Sequence, residues 1–241
     1  MKLGCVVMAA GNARRFGENK LAARFRGKSL IQRTLEAVPD EVFDTVAVVT
    51  QYPEIAVLAQ EFHFTAIRNE HPDFGISHTI QLGLTELRDC DGVLFLVSDQ
   101  PLLRRESVKE LAELWARHSD KIAALGHGGV RGNPCLFPAR FFPELLELRE
   151  DRGGNAVIRH HEEDLILLEV DGAELYDVDT VRALEQLETD AIELRIPAGR
   201  CPAGFLLIYG CTGCSPAADW CGACRHSGNR RPRWRGPWGW R

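Results

Sequence analysis

The chain has 241 residues, 45% hydrophobic and 26% charged, with a formal net charge of −5. That is apolar material enough for one α/β domain with a sizeable core, and no apolar run approaches the length of a membrane-spanning helix. An acidic body also makes a poor nucleic-acid binder, because phosphate contacts need a basic face, so neither membrane nor nucleic acid is an expected partner.

Leu3 to Ala9, apolar and valine-rich, predicts a buried first strand. The run from Met1 is too short for an export signal and Gly11, Arg14 and Arg15 follow it at once, so a cytoplasmic location is expected. Ser29 to Val38 has Leu30, Ile31, Leu35 and Val38 at helical spacing. Thr45 to Thr50 predicts a strand, Glu54 to Phe62 a helix, and Phe64 to Arg68 a short strand. His78 to Leu87 carries Ile80, Leu84 and Leu87 on one helical face. Gly92 to Ser98 is apolar on both faces, as a strand covered by helices on each side must be. Beyond it the pattern predicts a helix at Glu106 to His118, a strand at Ile122 to Leu125, and helices at Phe141 to Leu148 and Asn155 to His161. A strand at Leu165 to Val170 and a helix at Val181 to Leu187 complete the series.

This alternation predicts a doubly wound, three-layer α/β sandwich of Rossmann type with a mostly parallel sheet, spanning residues 1–195. Ligands in such folds bind beyond the carboxyl ends of the strands, which directs attention to the residues after Ala9, Thr50, Arg68 and Ser98. Residues 196–241 differ in kind. From Arg200 onward the chain holds five of the eight cysteines, four of the five tryptophans and seven arginines, with no Glu, Lys or Val. It reads as an appendage of the composition that a frame-shifted coding end would produce. The mass of the native protein tests this: a shorter chain supports it and an intact 241-residue chain rejects it. Cys211-x-x-Cys214 and Cys221-x-x-Cys224 pair thiolates as a zinc site does, although the six residues between them are short for a ribbon, where about 15–20 is usual. Cys5, Cys90 and Cys135 read as isolated thiols, and the adjacent His160 and His161 diverge on a helix and cannot share a site.

The segment Ala9-Ala10-Gly11 through Gly17-Glu18-Asn19-Lys20 follows the first strand directly. Gly11 and Gly17 let the backbone approach a ligand so that amides can point at phosphate oxygens. Arg15 offers a planar fork for such oxygens and Lys20 a mobile point charge. Arg14, Arg15, Lys20, Arg24, Arg26, Lys28 and Arg33 face only Glu18 in charge, a concentration that suits a small, highly charged anion or else a solvated helix face. Gly27-Lys28-Ser29 is not a P-loop, since Ala22 stands where its first glycine belongs. Asp99, in Ser98-Asp99-Gln100-Pro101, ends the most buried strand, where a carboxylate can hold Mg²⁺ against a triphosphate. A strand-end turn is the alternative. Ser77 is either an N-cap or, with Gly75, part of a helix N-terminus that meets a nucleotide.

The pattern A-A-G-x-x-x-R-F-G-x-x-K at Ala9 to Lys20 resembles the signature of the MobA-like NTP transferases, and within them most nearly the molybdenum cofactor cytidylyltransferases. Met8, Ala13 and Phe16 replace the usual Leu, Ser and Met. The resemblance implies transfer of a cytidylyl group from CTP to the phosphate of the molybdenum-loaded pterin, with Mg²⁺ as cofactor and a molybdenum hydroxylase or its maturation factor as partner. It implies phosphate or nucleotide contacts from Ala9, Ala10, Gly11, Gly17, Lys20, Gly75 and Ser77, catalytic roles for Arg15, Lys20 and Asp99, and Asp99 as metal ligand. Guanylyl-transferring relatives carry Gly-Gly where this chain has Ala10-Gly11, so Ala10 favours cytosine. Gly132, Asn133, Pro134 and Gly153 correspond to the pterin side, with Asn133 in place of the usual His; two ordinary turns are the alternative reading. Asp179, in Asp177-Val178-Asp179-Thr180, corresponds to a second metal ligand or else caps the last helix. Other readings are a transferase for another acceptor (a GTP-using relative, or one acting on a sugar or polyol phosphate) and a non-catalytic carrier of the molybdenum cofactor.

Overall fold

The computed structural model describes residues 1–11 and 19–193, which fold as one compact unit. Strand β1 (Leu3–Ala9) leads to a two-residue hairpin, β2 (Arg24–Phe25) and β3 (Lys28–Ser29), and to helix α1 (Leu30–Glu36). Then come β4 (Thr45–Thr50), α2 (Pro53–Glu61), β5 (Thr65–Arg68), α3 (Ile76–Glu86), β6 (Gly92–Val97) and α4 (Arg105–Arg117). The second half runs β7 (Ile122–His127), β8 (Val130–Pro138), α5 (Phe142–Leu146), α6 (Asn155–His160), β9 (Leu165–Glu169) and α7 (Val181–Glu193).

Seven strands form one sheet in the order β5-β4-β1-β6-β8-β7-β9. Every neighbouring pair is parallel except those that involve β8, which runs antiparallel to both β6 and β7. The side-chain period of two sends alternate residues of β1 to opposite faces. Cys5 and Val7 join Ile31, Leu35, Ile55, Leu111 and Trp115 from α1, α2 and α4 in one core. Val6 joins Ile80, Leu84, Leu145, Val157 and Ile158 from α3, α5 and α6 in the other. The molecule is therefore the three-layer α/β sandwich that the alternation predicts. No helix among the described residues is long and apolar enough to cross a membrane.

One strand departs from expectation. Residues 131–134, for which an ordinary turn was the alternative to a place on the pterin side, lie inside β8. Gly128 and Gly129, both at positive φ (58° and 77°), close a two-residue hairpin between His127 and Val130, the turn that twisted antiparallel strands prefer. Their amides donate to the Glu169 carboxylate at 2.8 and 2.9 Å. Gly132, Asn133 and Pro134 disguise the strand, because glycine and proline ordinarily mark its end.

The cationic run also resolves differently from a shared anion site. Lys28 pairs with Glu36 at 2.7 Å. Arg33 donates to the Phe25 carbonyl at 2.8 Å and stacks on the Phe25 ring, as Arg26 does. These side chains stabilise the β2–β3 hairpin. Of the seven cations, Lys20 reaches the carboxyl edge of the sheet, while Arg14 and Arg15 lie outside the described residues. So do Gly17 and the four paired tail cysteines.

Candidate active site

The end of β1 is held on both flanks. Thr50 Oγ1 donates to the Ala9 carbonyl at 3.0 Å, Gln51 to that of Ala10 at 2.9 Å, and the Tyr52 hydroxyl to that of Gly11 at 3.3 Å. On the other side Ser98 Oγ donates to the Met8 carbonyl at 3.0 Å. Ala9 and Ala10 are buried and Gly11 is exposed, so the chain leaves the sheet at Gly11.

It returns at Asn19, whose side chain accepts from the Leu21 amide at 3.1 Å and donates to Glu54 at 3.1 Å. This caps a single 3-10 turn, Lys20–Ala22, and aims Lys20 across the sheet edge. The Lys20 ammonium lies 3.0 Å from Asp99 Oδ2 and 3.2 Å from Asp179 Oδ1. Its side chain is 13% exposed, against 27% for Asp99 and 66% for Asp179, so the contact opens outward from a shielded base.

Asp179 arrives on a strap, residues 170–179, that continues from β9. The Val178 amide donates to the Asp99 carbonyl at 2.9 Å, which pins the strap to the end of β6. Val178 is fully buried with Phe25, Leu30 and Leu184. Thr180, not Asp179, caps α7, its hydroxyl accepting from the Ala183 amide at 3.1 Å, so the helix-cap reading of Asp179 is corrected. Asp177, which sequence reasoning passed over, completes the group. Although the residue as a whole is exposed, its carboxyl is tucked against Gln100 Nε2 at 3.0 Å. Burial first, then the nearby negative charge of Asp99, push its pKa up to about 6. A DxD spacing after a late strand was the available signal.

The expected nucleotide contacts of the third loop are partly taken by protein. Helix α3 starts at Ile76 with Gly75 as its N-cap, and Ser77, buried inside the first turn, makes no side-chain cap. The Ser77 amide donates to the Glu150 carbonyl at 3.1 Å. Gly75 sits at φ 85°, and a Cβ there would lie 2.4 Å from the Glu150 carbonyl, so its bare Cα accommodates the 149–151 segment. Beside it His71, Phe74 and His78 form a ring cluster, with His71 stacked on Phe74 at 4.8 Å and Phe74 half exposed. Gly153 neighbours Ile76 on the same loop system.

Since β8 is antiparallel, its beginning comes to the edge where β6 ends. Phe95 pairs with Cys135, and continuing that register carries Pro134, Asn133 and Gly132 alongside Leu96, Val97 and Ser98, next to Asp99. Gly132 packs against Leu175 of the strap. The same edge thus collects Ala10–Gly11, Lys20, Asp99, Gly132–Pro134 and Asp179.

A divalent cation fits the two carboxylates. Asp99 and Asp179 supply hard oxygen donors and already converge on one positive charge, the Lys20 ammonium. A second cluster, His161, Glu163 and Asp164, lies just before β9 at the opposite edge. Two of its members are otherwise engaged: Asp164 pairs with Lys121 and Arg140, and His161 with Glu144.

A mostly parallel sheet with one reversed strand, and an ammonium set among carboxylates beyond its carboxyl edge, define an α/β nucleotidyltransferase. The chain belongs to the MobA-like NTP transferase domain family, whose model matches residues 5–165. Among curated proteins it is 27% identical over 188 residues to the purine catabolism protein PucB of Bacillus subtilis (strain 168), covering 73% of this chain and 90% of that one. It is 26% identical over 149 residues to a probable molybdenum cofactor guanylyltransferase of the same organism, covering 61% and 72%. Among solved structures, the manganese complex of Rv0371c from Mycobacterium tuberculosis H37Rv superposes with a TM-score of 0.63 at 21% identity, covering 78% of this chain and 99% of that one.

Proposed function

We propose that this protein transfers a cytidylyl group from CTP to the phosphate of the molybdenum-pterin cofactor and releases pyrophosphate. The observation that carries the reading is the Lys20 ammonium held between Asp99 and Asp179, beyond the carboxyl edge of the sheet. The acceptor phosphate oxygen attacks the α-phosphorus of the nucleotide. As that P–O bond forms, the bond from the α-phosphorus to the bridging oxygen breaks, and its electron pair leaves with pyrophosphate. No covalent enzyme intermediate is needed, because the nucleophile is already an anion.

The difficulty is electrostatic: two anions must meet and charge develops on the leaving group. Lys20 opposes that charge, with Arg15 assigned the same duty from the signature. Ala9, Ala10, Gly11 and Gly17 supply backbone to the phosphates. Asp99 and Asp179 would hold Mg²⁺, which when bound screens the phosphates and polarises the α-phosphorus. The manganese complex of the Mycobacterium neighbour supports a divalent metal. Gly132, Asn133, Pro134 and Gly153 are assigned to the acceptor, which fits the arrival of the β8 start at the Asp99 edge. Gly75 and Ser77 act chiefly by shaping α3. A cytoplasmic setting and delivery to a molybdenum hydroxylase or its maturation factor belong to the same reading.

A second reading is guanylyl transfer, favoured by the name of the Bacillus relative, whereas Ala10 in place of a second glycine favours cytosine. Pyrophosphate release measured with each of the four nucleoside triphosphates, with and without the molybdenum-loaded pterin, decides between them. Release that depends on CTP and the pterin together supports the proposal; release with GTP and not CTP, or release with none of the four nucleotides, overturns it.

A further inference from the structure

Among the described residues Glu174 is the one buried charged residue, about 2% exposed. A carboxylate taken from water is strongly destabilising unless it is paired and hydrogen-bonded, so its partners matter. Glu174 accepts three N–H donors of a single residue: the Arg104 amide at 3.1 Å, Arg104 Nε at 2.8 Å, and Arg104 Nη2. Arg104 immediately precedes α4, at the end of the loop that begins with Asp99. Glu174 lies in the 3-10 turn Gly172–Leu175, within the strap that carries Asp177 and Asp179.

Read in chain order, the strap is fastened from end to end. The Val170 amide bonds the Gly126 carbonyl at 2.9 Å, and Asp171 caps the 3-10 turn through the Ala173 amide at 3.0 Å. Glu174 then grips Arg104, Asp177 accepts from Gln100, and Val178 bonds the Asp99 carbonyl. Three of these partners, Asp99, Gln100 and Arg104, are on one short loop. Two acidic residues are thus delivered next to a third, against their mutual repulsion, and Lys20 supplies the countercharge between Asp99 and Asp179. An apolar contact in place of Glu174 and Arg104 would stabilise the strap equally well or better. What the grip adds is direction, since Arg104 Nε and Nη2 converge on Oε1 while the Arg104 amide holds Oε2, which fixes the carboxylate at both oxygens.

We propose that Arg104 and Glu174 are a positioning pair, whose ion pair sets the strap so that Asp179 stays within reach of Asp99 and the two can share a divalent cation. The inference rests on the nucleotidyl-transfer reading for its purpose, but not for its test. Mn²⁺ binding to the nucleotide-free full-length protein is titrated by electron paramagnetic resonance for wild type, Glu174→Gln and Arg104→Gln, beside the melting temperature of each. Glu174→Gln leaves no charge buried and Arg104 is largely exposed, so Glu174→Gln keeps the fold even where Arg104→Gln, which strands the buried Glu174 carboxylate, does not. The expected result is Mn²⁺ affinity weakened about tenfold, the lower range for residues that orient metal ligands, with Arg104→Lys recovering part of it. Affinity equal to wild type in Glu174→Gln, whatever its melting temperature, or a wild type that takes up no Mn²⁺, overturns the proposal. Absence of pyrophosphate release from wild type with every nucleotide would instead sink the transfer reading and leave the titration valid.

Discussion

Lys20 carries the positive charge between Asp99 and Asp179. Its replacement by alanine removes the neutralisation of the carboxylates and, on the proposed function, the countercharge of the leaving group. We expect Lys20→Ala to lower the rate of pyrophosphate release by about 100-fold or more, near 3 kcal/mol of transition-state stabilisation, with the far-ultraviolet circular dichroism unchanged. Equal rates for mutant and wild type would remove Lys20 from the mechanism. Asp177 gives a test that needs no substrate. Its folded-state pKa, about 6, lies above its ordinary 3.8, so between those values the folded state holds a proton that the unfolded chain has released. Stability from this group is therefore full below pH 4, falls as pH rises toward 6, and is level beyond. Asp177→Asn abolishes that loss. Thermal melts should show the variant above wild type at pH 7.5 by about 1 kcal/mol, allowing for solvent screening at an exposed residue, and level with it at pH 4.

The elements of the site differ in how strictly they are shaped. The 69–77 loop turns into α3 only because Gly75 takes φ 85° against the Glu150 carbonyl. Gly75→Ala must accept a left-handed backbone and a 2.4 Å contact with main chain at once, and we expect a loss of about 3 kcal/mol or more in urea unfolding. A change under 1 kcal/mol would mean that the loop relaxes. The parallel strands were legible because buried strands write continuous apolar runs: Leu3–Ala9 and Thr45–Thr50 end where the pattern ends. Strand β8 was not legible, since its pairing with β6 and β7 is a long-range matter and its first five residues include Gly132, Asn133 and Pro134. The cap of α3 was misplaced for a similar reason. Ser77 has the chemistry of a cap, but the Glu150 segment presses the cap back to Gly75.

At the scale of the molecule, the sheet and both its cores lie within residues 1–193. A chain truncated after residue 195 should then melt within about 3 °C of the full-length protein, the equivalent of roughly 1 kcal/mol for a domain this size. A fall well beyond that would give the last 46 residues a part in the fold. Family and fold class could be read from the chain alone, because Ala9 to Lys20 and Ser98-Asp99-Gln100-Pro101 are local patterns and the strand–helix alternation is periodic. Individual side-chain duties could not. Sequence treated the cations from Arg14 to Arg33 as one group, and folding divided them, giving Lys28 and Arg33 to the hairpin and Lys20 to the acids. Likewise Asp179 was ambiguous between ligand and cap until Thr180 was found in the cap position. What a single stretch of chain determines is its own conformation and which residues it can offer. Which of them meet is decided by the sheet, because Lys20, Asp99 and Asp179 lie 79 and 80 residues apart in sequence and only parallel strands ending at one edge bring them within a hydrogen bond.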